Sequence, residues 1–197
     1  MRHLSTSRLD AACAAIDAAN AADPTVVTVR GEDQPLALVH GRLAMAWVER
    51  LRPEAGDEVR LAARAHHLTR WAVPRTSYPE GRPGYLRWRR DQKARHAADV
   101  EALLVSAGYS PVEVARVQAL IRREGLGADP EVQAVEDAAC LVFLETQLAE
   151  MVPRFDADHL AGIIRKTAAK MSPAALALVA EVPLQPAERR LLADALA

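Results

Sequence analysis

Apolar positions along this chain recur mostly at intervals of three and four, the spacing that lines one face of a helix. Leu9, Ala12, Cys13, Ile16 and Ala19 mark a first helix, capped by Ser5 or Ser7 and ending near Asn20 to Pro24. A short extended piece, Thr25 to Arg30, and a polar turn, Gly31 to Gln34, lead to a second helix. That helix opens at Pro35, runs through Leu36, Val39, Leu43, Ala46, Trp47 and Leu51, and stops at Pro53. A third, from about Asp57 to Trp71, has Leu61, Ala65 and Leu68 on its core face. The pattern then breaks. Pro74, Pro79, Pro83, Gly81 and Gly84 lie among Tyr78, Tyr85, Trp88 and Arg75, Arg82, Arg87, Arg89 and Arg90. That mixture predicts an ordered loop across the domain, a natural lid, passing into a fourth helix around Gly84. The fourth helix reaches about Ala107; Ser110 and Pro111 start a fifth, Val112 to about Glu124. Asp129 and Pro130 begin a sixth, Glu131 to Met151, and Asp156 to Met171 and two short apolar segments follow.

Composition narrows the class. With 197 residues, half of them hydrophobic, the chain can bury the core of one ordinary domain. Aromatic residues are only 4% and β-branched runs are nearly absent apart from Thr25 to Val29, so helices packed on helices are predicted. The expected fold is an all-α, single-domain helical bundle with a core over about residues 36–151 and the helices of 156–197 packed on it. The net charge of -1 excludes a globally basic nucleic-acid binder but hides an asymmetry: residues 1–59 carry -3, 60–95 carry +8 and 96–197 carry -6. Positive charge this local suits a site for an anion. Cys13 and Cys140 have no CxxC partner, which excludes a disulfide framework or zinc knuckle and fits a reducing cytosol. No apolar run reaches the roughly 18 residues of a spanning helix, so neither export nor membrane insertion is expected.

Candidate chemistry gathers around His66 and His67, which stand with Arg64 and Arg70 on the third helix. Counted from their shared turns, His40 and His67 fall at nearly the same height in one helical hairpin, and His96 and Glu124 do so in the next. Asp137 enters the sixth helix from the same end as Glu124. One layer of the bundle can thus hold His40, His66 or His67, His96, Glu124 and Asp137, with imidazole and carboxylate ligands suited to Zn²⁺, Fe²⁺ or Mn²⁺.

This order of residues resembles the HD-domain superfamily of metal-dependent phosphohydrolases. The resemblance implies His40 as first ligand, His66 and His67 as the dyad, His96 as an intermediate ligand and Asp137 as the last. His67 stands where that superfamily has Asp, so the carboxylate that bridges two metals is missing. A closer resemblance covers nearly the whole chain. The segments Asp17 to Asn20, Ala62 to Trp71, Gly84 to Arg89, Glu136 to Glu145 and Arg165 to Thr167 with Lys170 to Ser172 are similar to the bacterial domain of unknown function 4202 family. That likeness singles out His67, His96, Glu136 and Asp137.

Three functions are open on the sequence. A phosphohydrolase would hold a divalent ion on the histidines and Asp137, shuttle a proton on Glu124 or Glu136, and clamp the phosphates of a small metabolite or nucleotide. The clamp would draw on Arg64, Arg70, Arg75, Arg82, Arg89, Lys93 and Tyr85. An RNA- or nucleotide-binding module would use the basic, aromatic 70–93 segment for phosphate contact and stacking. A non-catalytic interaction protein would keep the histidines as core residues and Glu136 and Asp137 as partners for Arg64 or Arg70.

Overall fold

The computed structural model describes residues 7–196; Ser5, one of the two candidate caps of the first helix, lies outside them. The fold is all-α: nine α-helices, three short 3₁₀ helices and one two-stranded sheet make up its regular elements among the described residues. Local capping explains most helix starts. α1 (Arg8–Asn20) begins at Ser7, whose hydroxyl accepts from the Asp10 N–H. α5 (Pro111–Arg122) carries a full capping box between Ser110 and Glu113 with proline in its first turn. At α6 (Pro130–Met151), Asp129 accepts from the N–H groups of Glu131 and Val132. Asp156 and Ser172 do the same for α7 (Ala157–Ala168) and α8 (Pro173–Leu178), and α9 (Pro186–Leu196) closes the chain.

The core is a layer of α2 (Leu36–Leu51), α3 (Asp57–Arg64), α5 and α6, with α2 packed most extensively on α6. Leu61, Leu68, Leu120, Ile121, Leu141 and Leu148 are fully buried there. α4 (Gly81–Ser106) lies along α5, and α7 pairs with α9 beyond α6. No helix among the described residues is long and apolar enough to cross a membrane.

Two elements differ from the sequence expectation. The polar turn Gly31 to Gln34 is mostly strand: β1 (Val26–Val29) pairs antiparallel with β2 (Glu32–Pro35), and only Arg30 and Gly31 turn, at φ 54° and 84°. Two consecutive positive φ values make the tight turn whose twist matches a hairpin. The third helix stops at Arg64, so His66 and His67 sit on turns rather than on a helix. His66 Nδ1 donates to the Ala63 carbonyl at 2.8 Å, using up one of the helix's last acceptors. Thr69 then takes a left-handed conformation, φ 49°, and its N–H donates to Asn20 Oδ1 at 3.0 Å. Asn20 is fully buried at the end of α1, and its amide nitrogen donates to the Ala37 carbonyl of α2. One side chain therefore ties α1, α2 and the histidine turn together.

The proline- and arginine-rich segment is ordered, as its composition predicts. Arg75 donates to the carbonyls of Tyr78, Pro79 and Gly81, Trp88 Nε1 to that of Val73, and Gln92 to those of Arg70 and Val73. These bonds fasten the loop to α4. Gly84 permits the approach: a Cβ there would collide with the Pro79 carbonyl oxygen, a backbone atom that cannot swing aside. We expect Gly84→Ala to destabilise the protein by about 2 to 3 kcal/mol, although alanine is favoured over glycine in a helix by about 1 kcal/mol. Urea denaturation checks this; an unchanged or higher midpoint would contradict the contact.

Candidate functional site

One face of α4 carries Tyr85, Arg89, Gln92, Lys93 and His96, spaced three and four apart, and the facing side of α6 carries Glu136, Cys140, Phe143 and Gln147. Between them, closed by α7 and by the histidine turn, lies a cavity of about 390 Å³. Its charge is one-sided. Arg70, Arg89, Lys93, Arg123, Lys166 and Lys170 line it, and among the described residues Glu136 is the one carboxylate in the lining. Glu136 is itself engaged by Arg123, Nε to Oε2 at 3.0 Å, with side chains only 6% and 8% exposed. Burial by itself pushes the Glu136 carboxyl up, but Arg123 and Lys93 outweigh it and hold it below its ordinary range. Burial lowers Lys93 to about 8, with Arg123 adding to the shift, and Arg70 to about 10, with Arg89 adding. Arg70 also stacks over Trp88, 4.4 Å from the ring centroid. Cys140 is pushed up to about 12 by burial and then by Glu136, which leaves an unreactive thiol.

The cavity floor is imidazole. His66 and His67 stack at 4.0 Å between centroids, His40 stands 5.2 Å from His67, and His96 6.2 Å from it. Hydrogen bonds determine the tautomers. Thr146 Oγ1 donates to the Val142 carbonyl and therefore accepts from His40 Nε2 at 3.0 Å. A neutral His40 carrying its proton on Nε2 has a bare Nδ1, which accepts from His67 Nδ1 at 3.0 Å. His67 Nε2 is then left as a lone pair. His66 likewise spends its Nδ1 proton on Ala63, and among the described residues its Nε2 meets no partner; neither does either nitrogen of His96. Burial keeps all four neutral. It lowers His40 to about 3, with Arg70 adding, and His96 to about 3, with Arg95 and Arg70 adding. His66 and His67 lie well below their ordinary value, chiefly through burial, then through Arg123 and His66 respectively.

The structure brings His66, His67, His96, Arg70, Arg89, Lys93, Tyr85 and Glu136 to this cavity, and His40 stands against His67 behind them. The other expected site residues lie elsewhere. Asp137 does not line the cavity: Ser172 N and Oγ and Gln133 Nε2 donate to its carboxylate at 2.9, 2.6 and 2.8 Å, so it fastens the start of α8 to α6. Glu124 pairs with Arg122 at the surface, Arg64 pairs with Asp17, and Arg82 is exposed. Arg75 spends its guanidinium on loop carbonyls. A transition metal would suit neutral imidazoles. Yet among the described residues no three His, Cys, Asp or Glu side chains are grouped to hold one.

Arg123, Lys166, Lys170, Gln92 and Gln147 belong to the cavity and were not singled out by sequence. Lys166 and Lys170, four apart ahead of the Ser172 cap, carried a usable signal. Arg123 carried none, because its side chain reaches the site only from the left-handed cap of α5.

Fold and site together define an all-α protein with a basic, histidine-floored cavity. Residues 10–192 match the model of a family described as a domain of unknown function, DUF4202, and the chain belongs to that family. No curated protein and no solved structure matches it.

Proposed function

We propose that the protein binds a small phosphorylated molecule in the cavity between α4, α6 and α7 and hydrolyses its phosphate ester. The observation that carries this reading is the lining: six cationic side chains, one ion-paired carboxylate and three neutral imidazoles around about 390 Å³. That volume lies in the range of small-molecule pockets, and cations that outnumber the lining carboxylates six to one stabilise a bound dianion. The imidazoles supply the chemistry. With the phosphate dianion bound beside it to offset the burial that lowers its basicity, His67 Nε2, left bare by the relay from Thr146 through His40, accepts a proton from the water that attacks phosphorus. The cations neutralise charge developing on the phosphoryl oxygens. Lys93, lowered to about 8, is suited to protonate the leaving oxygen. No step in this scheme passes through a metal. The concave placement of the cations favours a small ligand over RNA; the exposed Arg82, Arg87 and Arg90 of α4 are the surface an RNA backbone would need.

Release of free phosphate from a panel of phosphorylated metabolites and nucleotides tests the proposal, run in chelator and with added Mn²⁺ or Zn²⁺. At least one ester should be turned over, and His67→Asn should lower kcat by about 10²-fold with KM little changed. Turnover of no ester under any condition, alongside salt-sensitive RNA binding lost on replacing Arg82, Arg87 and Arg90, would replace this reading with the nucleic-acid one.

A further inference from the structure

A second cavity, of about 340 Å³, adjoins the first and shares His67, Arg70 and Gln147 with it. Its character is different. Val26 and Val27 of β1, Leu36 and Ala37 of α2, and Trp71 and Trp88 supply apolar walls. Of its charged groups, Asp23 and Arg75 are committed to the protein, and the exposed Glu150 also lines it. Asp23 accepts from the Thr25 and Ala37 N–H groups, both at 2.9 Å, and Arg75 is bonded to three loop carbonyls. Arg70, stacked on Trp88, stands at the junction with His67. One side of this junction offers unspent positive charge, and the other offers apolar surface and the Glu150 carboxylate, which disfavours an anion there.

From this juxtaposition we infer that the second cavity holds the uncharged, ring-bearing body of the ligand whose phosphate occupies the first, so that the ligand class is a nucleotide-like phosphate monoester spanning His67 and Arg70. The inference rests on the proposed phosphate site. It adds a requirement for the organic group that a bare anion site lacks: burying apolar surface in the second cavity adds affinity that phosphate contacts cannot supply. The separation of roles also places the ester bond, the junction of phosphate and body, next to His67.

Isothermal titration of the full chain with inorganic phosphate, ribose 5-phosphate and adenosine, guanosine, cytidine and uridine 5′-monophosphates tests this. At least one nucleoside monophosphate should bind tenfold or more tighter than both smaller phosphates. Val26→Trp and Thr25→Trp, at exposed positions on the rim of the second cavity, should remove that gain and leave inorganic phosphate affinity within twofold. Tryptophan is well tolerated in a strand, so folding should survive in Val26→Trp, and circular dichroism confirms it. Phosphate binding with no gain from any nucleoside, or a gain untouched by both folded variants, overturns the inference and leaves the phosphate site standing. Absence of phosphate and nucleotide binding alike overturns the site and the inference together.

Discussion

Acidification should begin to destabilise this protein near pH 6.5, before its carboxylates titrate. His40, His66 and His96 are buried and neutral, with folded-state pKa values of about 3 for His40 and His96 and well below the ordinary 6.5 for His66. Above pH 6.5 both folded and unfolded chains carry these imidazoles uncharged, and they contribute nothing to the pH dependence. As the pH falls below 6.5 the unfolded chain takes up protons that the folded chain refuses, so stability is lost progressively, down to about pH 3 for His40 and His96. Each such histidine removes about 1.4 kcal/mol per pH unit in that window, and three acting together remove about 4. Against a typical domain stability of about 5 to 15 kcal/mol, folding should fail between about pH 5 and pH 3. Urea midpoints followed by circular dichroism at half-unit steps from pH 7.5 downwards measure the slope. His96→Leu should flatten it by about one proton. A midpoint that stays level from pH 7 to 5 would show that these imidazoles are hydrated or already charged in the fold.

Breaking the Arg123–Glu136 pair should have the largest effect of any single substitution. Both side chains are almost wholly enclosed, and Arg123 also donates to the carbonyls of Leu120, Ile121 and Val135, joining the end of α5 to α6. Glu136→Ala leaves a buried guanidinium beside Lys93 with no anion, and Arg123→Ala leaves a buried carboxylate. Removing one partner of such a pair costs about 3 to 5 kcal/mol. The double variant Arg123→Leu, Glu136→Leu should recover most of the loss, since replacing both charges removes the desolvation penalty with them. Thermal or urea unfolding of the two single variants and the double variant gives the coupling directly. Single-variant losses under about 1 kcal/mol would mean that water reaches the pair. Glu136→Gln should in addition tighten inorganic phosphate binding, because it withdraws the one negative charge in the lining.

The helical class was legible because its determinants are local. Ser110 with Pro111, and Asp129 with Pro130, satisfy N–H groups only two or three residues onward, so reading a few positions suffices to place those helix starts. The end of the third helix was not legible in the same way. It depends on Asn20, 49 residues earlier, bonding Thr69, and no periodicity within the segment encodes that partner. The convergence of His40, His67 and His96 could be anticipated from helix lengths alone. The acidic members of the site could not. Glu136 and Asp137 are neighbours in sequence, but about 100° apart around α6, so one faces the cavity and the other faces Ser172.

By itself, then, the amino-acid order determined an all-helical chain with its positive charge concentrated between residues 60 and 95 and its histidines at matching heights. Only the tertiary structure decided which charges remain unspent. Arg64 and Arg75 are consumed by Asp17 and by loop carbonyls, whereas Arg89, Lys93, Lys166 and Lys170 face one enclosed space. The reason is physical: a charge's availability depends on the rotation of its helix and on partners brought from distant segments, and neither is written in the spacing of the residues around it.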